Sequence, residues 1–459
     1  MTPAMSLTKD PIGQLTWRIA LPMSIGMFFN TMYNVVDTLC GGWLGTEALA
    51  ALSLSFPVFF VVMATGSGLS QGTTALIANS LGAGDEEDAR HAFAQSLLLA
   101  TAAGLVLMVV GWVASPVVFR LLGAEGGYLD TVLAYMNVLL GGSVFILLPM
   151  AFNSALMAQG ETRHFRNFLI GGFFANAALN PVLMWGLGPF PEMGVGGLAL
   201  ATVIIQIGGA AFLGWRARQS SIGTGLRLSH FKPDLPLLRR IAGQGIPAAL
   251  NMLTIALGIF VTTWFVQGFG KDAVAAIGVA TRIEQIVLLP ALGLNSAVLS
   301  LVGQNHGARL PLRVRESWLT AIRISIALML AGGVLLWLLR EPAMRMFTRD
   351  ETVIRHGADY LLTSALTLAA YPIIFLTVFA MQGVKRPSYG LWLGLYRQLA
   401  APLIVIHLLA FTLGWGLWGI WWGVCLVTWS AALFSLWWGW KTFVRPCHGS
   451  AVEDERKSA

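Results

Sequence analysis

Twelve apolar runs, each about 20 residues or longer, follow one another along nearly the whole 459-residue chain. About 20 helical residues cross the roughly 30 Å of a bilayer's hydrocarbon core. Inside that core no water can satisfy a backbone N–H or C=O, so an apolar run must close its own hydrogen bonds as a helix. The expected fold class is therefore an all-α integral membrane protein with twelve transmembrane helices. The runs cover residues 14–43, 48–81, 92–114, 128–158, 165–187, 194–215, 240–267, 272–305, 317–339, 353–383, 390–412 and 414–440. Composition agrees: 56% of residues are apolar, 11% are charged, and the mean hydropathy is +0.71. Trp17 to Trp43 is expected to stay as the first helix, because no short apolar segment with a small-residue cleavage site precedes it.

A net charge of +7 could suggest a nucleic-acid partner, yet the basic residues sit between the runs and alternate in density from one connection to the next. Connections beginning near residues 82, 159, 216, 306 and 384 hold 14 Lys/Arg, and the tails hold six more, against six on the other side. The positive-inside rule then places both termini in the cytoplasm. The connection bearing Arg340, Arg345, Arg349 and Arg355 runs against that trend. No nucleic-acid partner is expected, and the chain reads as a multi-pass protein of the cell inner membrane, working as a monomer among membrane lipids. Cys40, Cys425 and Cys447 are at unrelated spacings, so neither a disulfide framework nor a CxxC metal motif is present. Walker, HExxH, nucleophile-elbow and dinucleotide-binding signatures are also missing, which argues against an enzyme and against any bound cofactor. Without an ATP site, work has to come from an ion gradient.

The chain is written twice. An ungapped shift of 225 residues places Pro22 on Pro247, Gly45 on Gly270, Gly68 on Gly293, Gly82-Ala83 on Gly307-Ala308 and Tyr135 on Tyr360. Six spans per half make the halves parallel repeats, related by an axis along the membrane normal. The expected organisation is a six-helix lobe over 1–215, a polar cytoplasmic linker over 216–239, a pseudo-symmetric six-helix lobe over 240–445, and a cytoplasmic tail over 446–459. Solvation of a plain connector accounts for the basic linker as well as a specific lipid contact does. Pro22, Pro57, Pro149, Pro181, Pro247, Pro290 and Pro372 fall in or near span interiors and are expected to mark kinks.

Two acids lie at depth. Asp37 falls inside the first span and Glu284 inside the eighth, where an acid costs at least about 2.5 kcal/mol and usually faces a bundle interior or a wet cavity. Asn30, Tyr33, Asn34 and Asp37 share one helical face. Desolvation disfavours a carboxylate's charged form, so a buried acid is a natural proton carrier, and its two protonation states can favour different helix arrangements. Tyr135, Asn153, Asn176, Asn180 and Thr202 supply polar groups from other spans of the first half. Interhelical hydrogen bonding alone would also explain single Asn residues. Glu284 has two readings of equal weight: a functional acid, or half of a structural pair with Arg282. Met32 and Met157 suit either a cargo-binding surface or core. A substrate cavity is expected along Asn30, Met32, Tyr33, Asn34, Asn153 and Met157.

Several stretches resemble the multidrug and toxic compound extrusion (MATE) family. They include "VDTLCGGWLGTEALAALSLSFPV" (36–58), "GLSQGTTALIANSLGAGD" (68–85), "MAQGETR" (157–163), "NAALNPVLMWGLG" (176–188), "RIEQIVLLPALGLNSAVLSLVGQNHGA" (282–308) and "MQGVKRP" (381–387). The resemblance implies alternating access to a central cavity and export of amphipathic, often cationic compounds in exchange for H+ or Na+. It assigns the coupling ion to Asp37, with Na+ as a second candidate at that site. Tyr135, Asn176 and Thr202 resemble its polar neighbours, and Asn180 stands where many relatives carry an aspartate. Glu284 resembles an acid found in the eighth helix of some members. Proton coupling at Asp37 is the favoured expectation, and a flippase for lipid-linked precursors is the alternative.

Overall fold

The computed structural model describes residues 6–445; residues 1–5 and the expected tail 446–459, with Cys447, lie outside them. Among the described residues the chain is helical, without strands. The helices are α1 (Ile12–Trp43), α2 (Thr46–Gly82), α3 (Glu86–Leu121), α4 (Gly126–Gly141), α5 (Ser143–Ala158), α6 (Arg163–Trp185), α7 (Gly194–Gln219), α8 (Leu235–Gln267), α9 (Lys271–Gly307), α10 (Pro311–Arg345), α11 (Glu351–Thr367), α12 (Ala370–Gly383), α13 (Ser388–Thr412) and α14 (Gly416–Val444). Ten are long and apolar enough to cross a membrane, and the pairs α4/α5 and α11/α12 bring the number to twelve if each is one bent span.

Those two pairs correspond to the fourth and tenth expected spans, which bend by 44° and 52° rather than running straight. The second break has a proline cause. Pro372 has no N–H to offer the Leu368 carbonyl four residues earlier, and the helix interrupts at Leu368–Ala369. At the first break the chain reads Gly141-Gly142-Ser143, and Gly142 departs from helical geometry at φ −86°, ψ 0°. Pro149 lies beyond that break, inside α5. Pro22, Pro57, Pro181, Pro247 and Pro290 lie inside continuous helices.

The 225-residue repeat is visible in the helix boundaries. α2 and α9 each run for 37 residues from Thr46 and Lys271, α3 and α10 begin at Glu86 and Pro311, and α4 and α11 at Gly126 and Glu351. Gly45 and Gly270 precede α2 and α9 at φ +112° and +99°, a region closed to most side chains. Equivalent turns therefore kept equivalent glycines.

Two compact units emerge, one formed by residues 25–249, the other by residues up to 24 together with those from 250 onward. They divide within α1 and α8, a few residues after Pro22 and Pro247, whereas the sequence reading put the division at 216–239. Small residues explain the arrangement within each unit. In the first, a Cβ on Gly68 of α2 would stand 2.5 Å from the Gly245 carbonyl oxygen and 2.6 Å from the Ala249 nitrogen of α8. In the second, a Cβ on Gly293 of α9 would stand 2.5 Å from the Ala20 carbonyl oxygen of α1. Around that crossing, Leu15, Ile19 and Ala20 bury themselves against Leu294, Ala297, Val298 and Leu301. Because backbone atoms stand among those opposed at each crossing, a side-chain shift alone cannot make room. Gly293→Leu is expected to destabilise the protein by about 1–3 kcal/mol, measured as a lowered thermal midpoint in detergent, with little change for Gly278→Ala, whose surroundings are open.

The segment 216–239 is ordered within the first unit. Fully buried Gln95 of α3 donates through Nε2 to the His230 and Lys232 carbonyls, both at 2.7 Å, and accepts from the Asp234 N–H at 3.1 Å. His230 Nε2 also meets Glu87 Oε1 at 2.7 Å. A freely solvated connector is thus corrected to a segment docked on the start of α3.

Candidate functional site

In the first unit, Asp37 is half-buried on α1 facing α6. Asn176 and Asn180 lie four residues apart on α6, hence on one face, and both are fully buried. Each Nδ2 donates to Asp37 Oδ1 at 2.8 Å. The two amides also engage each other, at 3.2 Å and 3.4 Å. Asp37 Oδ2 accepts no hydrogen bond from the described residues. The result is a carboxylate anchored through one oxygen and open at the other.

One turn earlier on α1, Tyr33 donates its hydroxyl to Thr202 Oγ1 of α7 at 2.9 Å. Tyr135 of α4 is half-buried against Cys40, Met184 and Leu198, near enough to feel the Asp37 charge. The structure thus brings together Asp37, Asn176 and Asn180 by direct contact, with Tyr33, Thr202 and Tyr135 around them. It treats the remaining expected residues differently. Asn34 is exposed and its amide returns to the Asn30 carbonyl of its own helix at 2.9 Å. Asn30 and Met32 are half-buried, whereas Asn153 and Met157 are each only 5% exposed on α5. Asn153 Oδ1 has no partner among the described residues. The polar stripe on α1 is therefore split: Tyr33 and Asp37 bond to neighbouring helices, while Asn34 bonds to its own.

The second unit holds a different centre. Glu284 is 6% exposed on α9 and accepts from two hydroxyls of α11, Tyr360 Oη to Oε2 at 2.7 Å and Ser364 Oγ to Oε1 at 2.6 Å. Arg282, the other half of the structural pairing, is exposed and makes no ion pair with it. Tyr371 of α12 and Arg397 of α13 complete the surroundings, both within electrostatic reach of the Glu284 carboxylate. The Arg397 guanidinium sits 5.4 Å from the Tyr371 ring centroid and 5.9 Å from that of Phe375. Among the described residues it forms no salt bridge. Arg397 was missed by a search for buried acids, yet an arginine deep inside an apolar run, "LWLGLYRQLAAPLIVIHLL", carries the same signal with opposite sign. Ser364 gave no signal, because serine is common in spans.

These two centres share a scaffold but not a chemistry. The repeat places Thr262 opposite Asp37 and Phe59 opposite Glu284.

Comparison with known proteins agrees with this architecture. The MatE family profile matches residues 22–182 and again 247–404, beginning 225 residues apart as the repeat does. The probable multidrug resistance protein YoeA of Bacillus subtilis is 30% identical over 426 residues, covering 84% of this chain and 91% of that protein. A FAD transporter of Shewanella oneidensis is 27% identical over 400 residues, with 85% and 86% covered. Among solved structures, MATE in the bent conformation superposes with a TM-score of 0.91 at 27% identity, over 98% of this chain and all of that one. An outward-facing MATE family transporter of the MOP superfamily superposes with a TM-score of 0.89, also at 27% identity, over 96% and 97%.

Proposed function

Because the chain belongs to the MATE family of multidrug efflux transporters, we propose that it is a secondary active antiporter exporting amphipathic cationic compounds in exchange for a proton carried by Asp37. The observation that carries this reading is the one-sided anchoring of Asp37. Two amide N–H groups fix Oδ1, so the acid cannot swing away, and Oδ2 is left to take and release a proton. Protonation removes a charge from a site whose neighbours are amides and hydroxyls, changing what those neighbours prefer and hence which helix arrangement is favoured. Alternating access then follows from one differential interaction. Sodium at the same place is less well supported. It seeks several oxygen ligands, as hard cations do, and here the amides turn nitrogen toward the carboxylate. On the distribution of Lys and Arg, the termini belong in the cytoplasm.

The decisive experiment is cargo flux in proteoliposomes with pH and sodium gradients imposed separately. A gradient of one pH unit is expected to support about tenfold accumulation of a cationic dye, and a sodium gradient none. Accumulation driven by sodium alone would overturn proton coupling.

A second reading, export of an anionic cargo, is favoured by Arg397 in the second unit and by the similarity to a FAD transporter. The same vesicles loaded with a flavin nucleotide in place of the dye test it directly.

A further inference from the structure

Apart from both polar centres, the second unit carries a cavity of about 910 Å³ between α13 and α14, within the size range of small-molecule sites. Trp392 and Tyr396 of α13 and Phe434 and Trp438 of α14 wall it, and Lys385 and Arg386 belong to its lining. No acidic residue does. Three of its hydroxyls are paired: Tyr389 Oη donates to Ser435 Oγ at 2.8 Å, and Tyr396 and Ser430 pair at 2.9 Å. Its aromatic wall is open, with Trp392 69% and Phe434 45% exposed.

Position along the helices adds a polarity. Lys385 and Arg386 lie just before α13 begins, and Trp438 and Lys441 lie near the end of α14. The two helices are antiparallel neighbours, so Lys385, Arg386 and Trp438 share one end of the cavity, with Lys441 beyond its lining. Lys441 Nζ is held there, 5.4 Å and 5.8 Å from the Trp437 and Trp438 ring centroids. From Arg386 to Tyr396 is ten residues, about 15 Å of helix, which is half the hydrocarbon thickness. The cavity is therefore about as deep as one leaflet, basic at one end and aromatic along the rest.

We propose that this cavity binds an anionic phospholipid, its phosphate against Arg386 and Lys385 and an acyl chain along Trp392, Tyr396 and Phe434. Charge selects the occupant. A lipid with net negative charge gains from each basic residue at the rim, whereas a zwitterionic lipid carries its own compensating ammonium. Each basic residue near the headgroups is worth about fivefold in affinity.

The test is native mass spectrometry of the full-length protein in detergent, with equimolar phosphatidylglycerol and phosphatidylcholine of identical acyl chains. The unmodified protein is expected to retain one phosphatidylglycerol per chain in clear excess. Arg386→Gln should reduce that retention about fivefold without affecting phosphatidylcholine. Trp392→Ala, at an exposed position, should weaken both, and Val113→Ala, on the other unit and 75% exposed, neither. Should Arg386→Gln fail to yield monodisperse protein, Lys385→Gln, at the other basic residue of the lining, carries the same expectation. Equal retention of the two lipids, undiminished phosphatidylglycerol in the charge variants, or self-association across this face would each overturn the proposal.

Discussion

Asp37→Asn is expected to yield folded, inserted protein in which the accumulation driven by one pH unit falls from about tenfold to none. The replacement keeps the shape of the side chain, and its amide oxygen can still accept from Asn176 and Asn180, which meet the wild-type carboxylate at 2.8 Å. Stability should therefore change little. What disappears is the group that exists in two charge states, and with it the differential interaction by which a proton gradient could bias one arrangement over another. Downhill leakage of dye can persist, since cargo contacts are untouched. Uphill transport cannot. The check is accumulation in proteoliposomes, paired with the thermal midpoint of the same preparation. A stable variant that still concentrates dye tenfold would remove Asp37 from the coupling mechanism.

The largest effect on stability is expected at the other acid. Glu284→Ala takes the only observed partner from Tyr360 Oη and Ser364 Oγ and leaves Arg397 without a nearby negative charge. Orphaned buried hydroxyls cost about 1–3 kcal/mol, and an uncompensated buried charge costs more. A loss of about 3–5 kcal/mol follows, read as a midpoint lowered by several degrees. Glu284→Gln keeps an acceptor oxygen but removes the same charge, so it should recover only the hydroxyl part of the loss, about 1–3 kcal/mol. Combining Glu284→Leu with Arg397→Leu separates the contributions. If the two charges depend on one another, the double variant will be more stable than the sum of single losses indicates. Strict additivity would show that Arg397 serves something other than Glu284.

How much of this was legible beforehand depends on what kind of signal each residue leaves. Span number and the duplication were readable because hydrophobic length and glycine spacing are local properties. Gly68 and Gly293 stood out in the repeat, and the structure supplies their reason in the helix crossings. Asp37 was readable because a carboxylate in an apolar run has few structural excuses, and its partners Asn176 and Asn180 because they share a helical face. The bend after Gly141 was not anticipated, since attention went to prolines. Glu284 was ambiguous for a different reason. Its neighbour in sequence, Arg282, offered an apparent partner, while its true partners lie on α11. Periodicity says which residues share a face, not which helix that face meets. The same gap left Asn34 on the expected polar stripe, although its amide bonds back to its own helix. The docked segment 216–239 was equally hidden, because the side chain that holds it, Gln95, gives no sequence signal.

One detail of α13 bears on how such a chain tolerates length changes. Tyr396–Ala400 and Leu408–Thr412 are wound as π-helix, each turn holding a residue more than an α-turn needs. Losing a residue from an ordinary spanning helix rotates everything beyond it by about 100° and presents the wrong face to every neighbour. Losing one from Tyr396–Ala400 lets the turn tighten to α while the flanking stretches keep their orientation. That surplus turn holds Arg397, so α13 can absorb a change of length at the level of its arginine without rotating the stretches on either side.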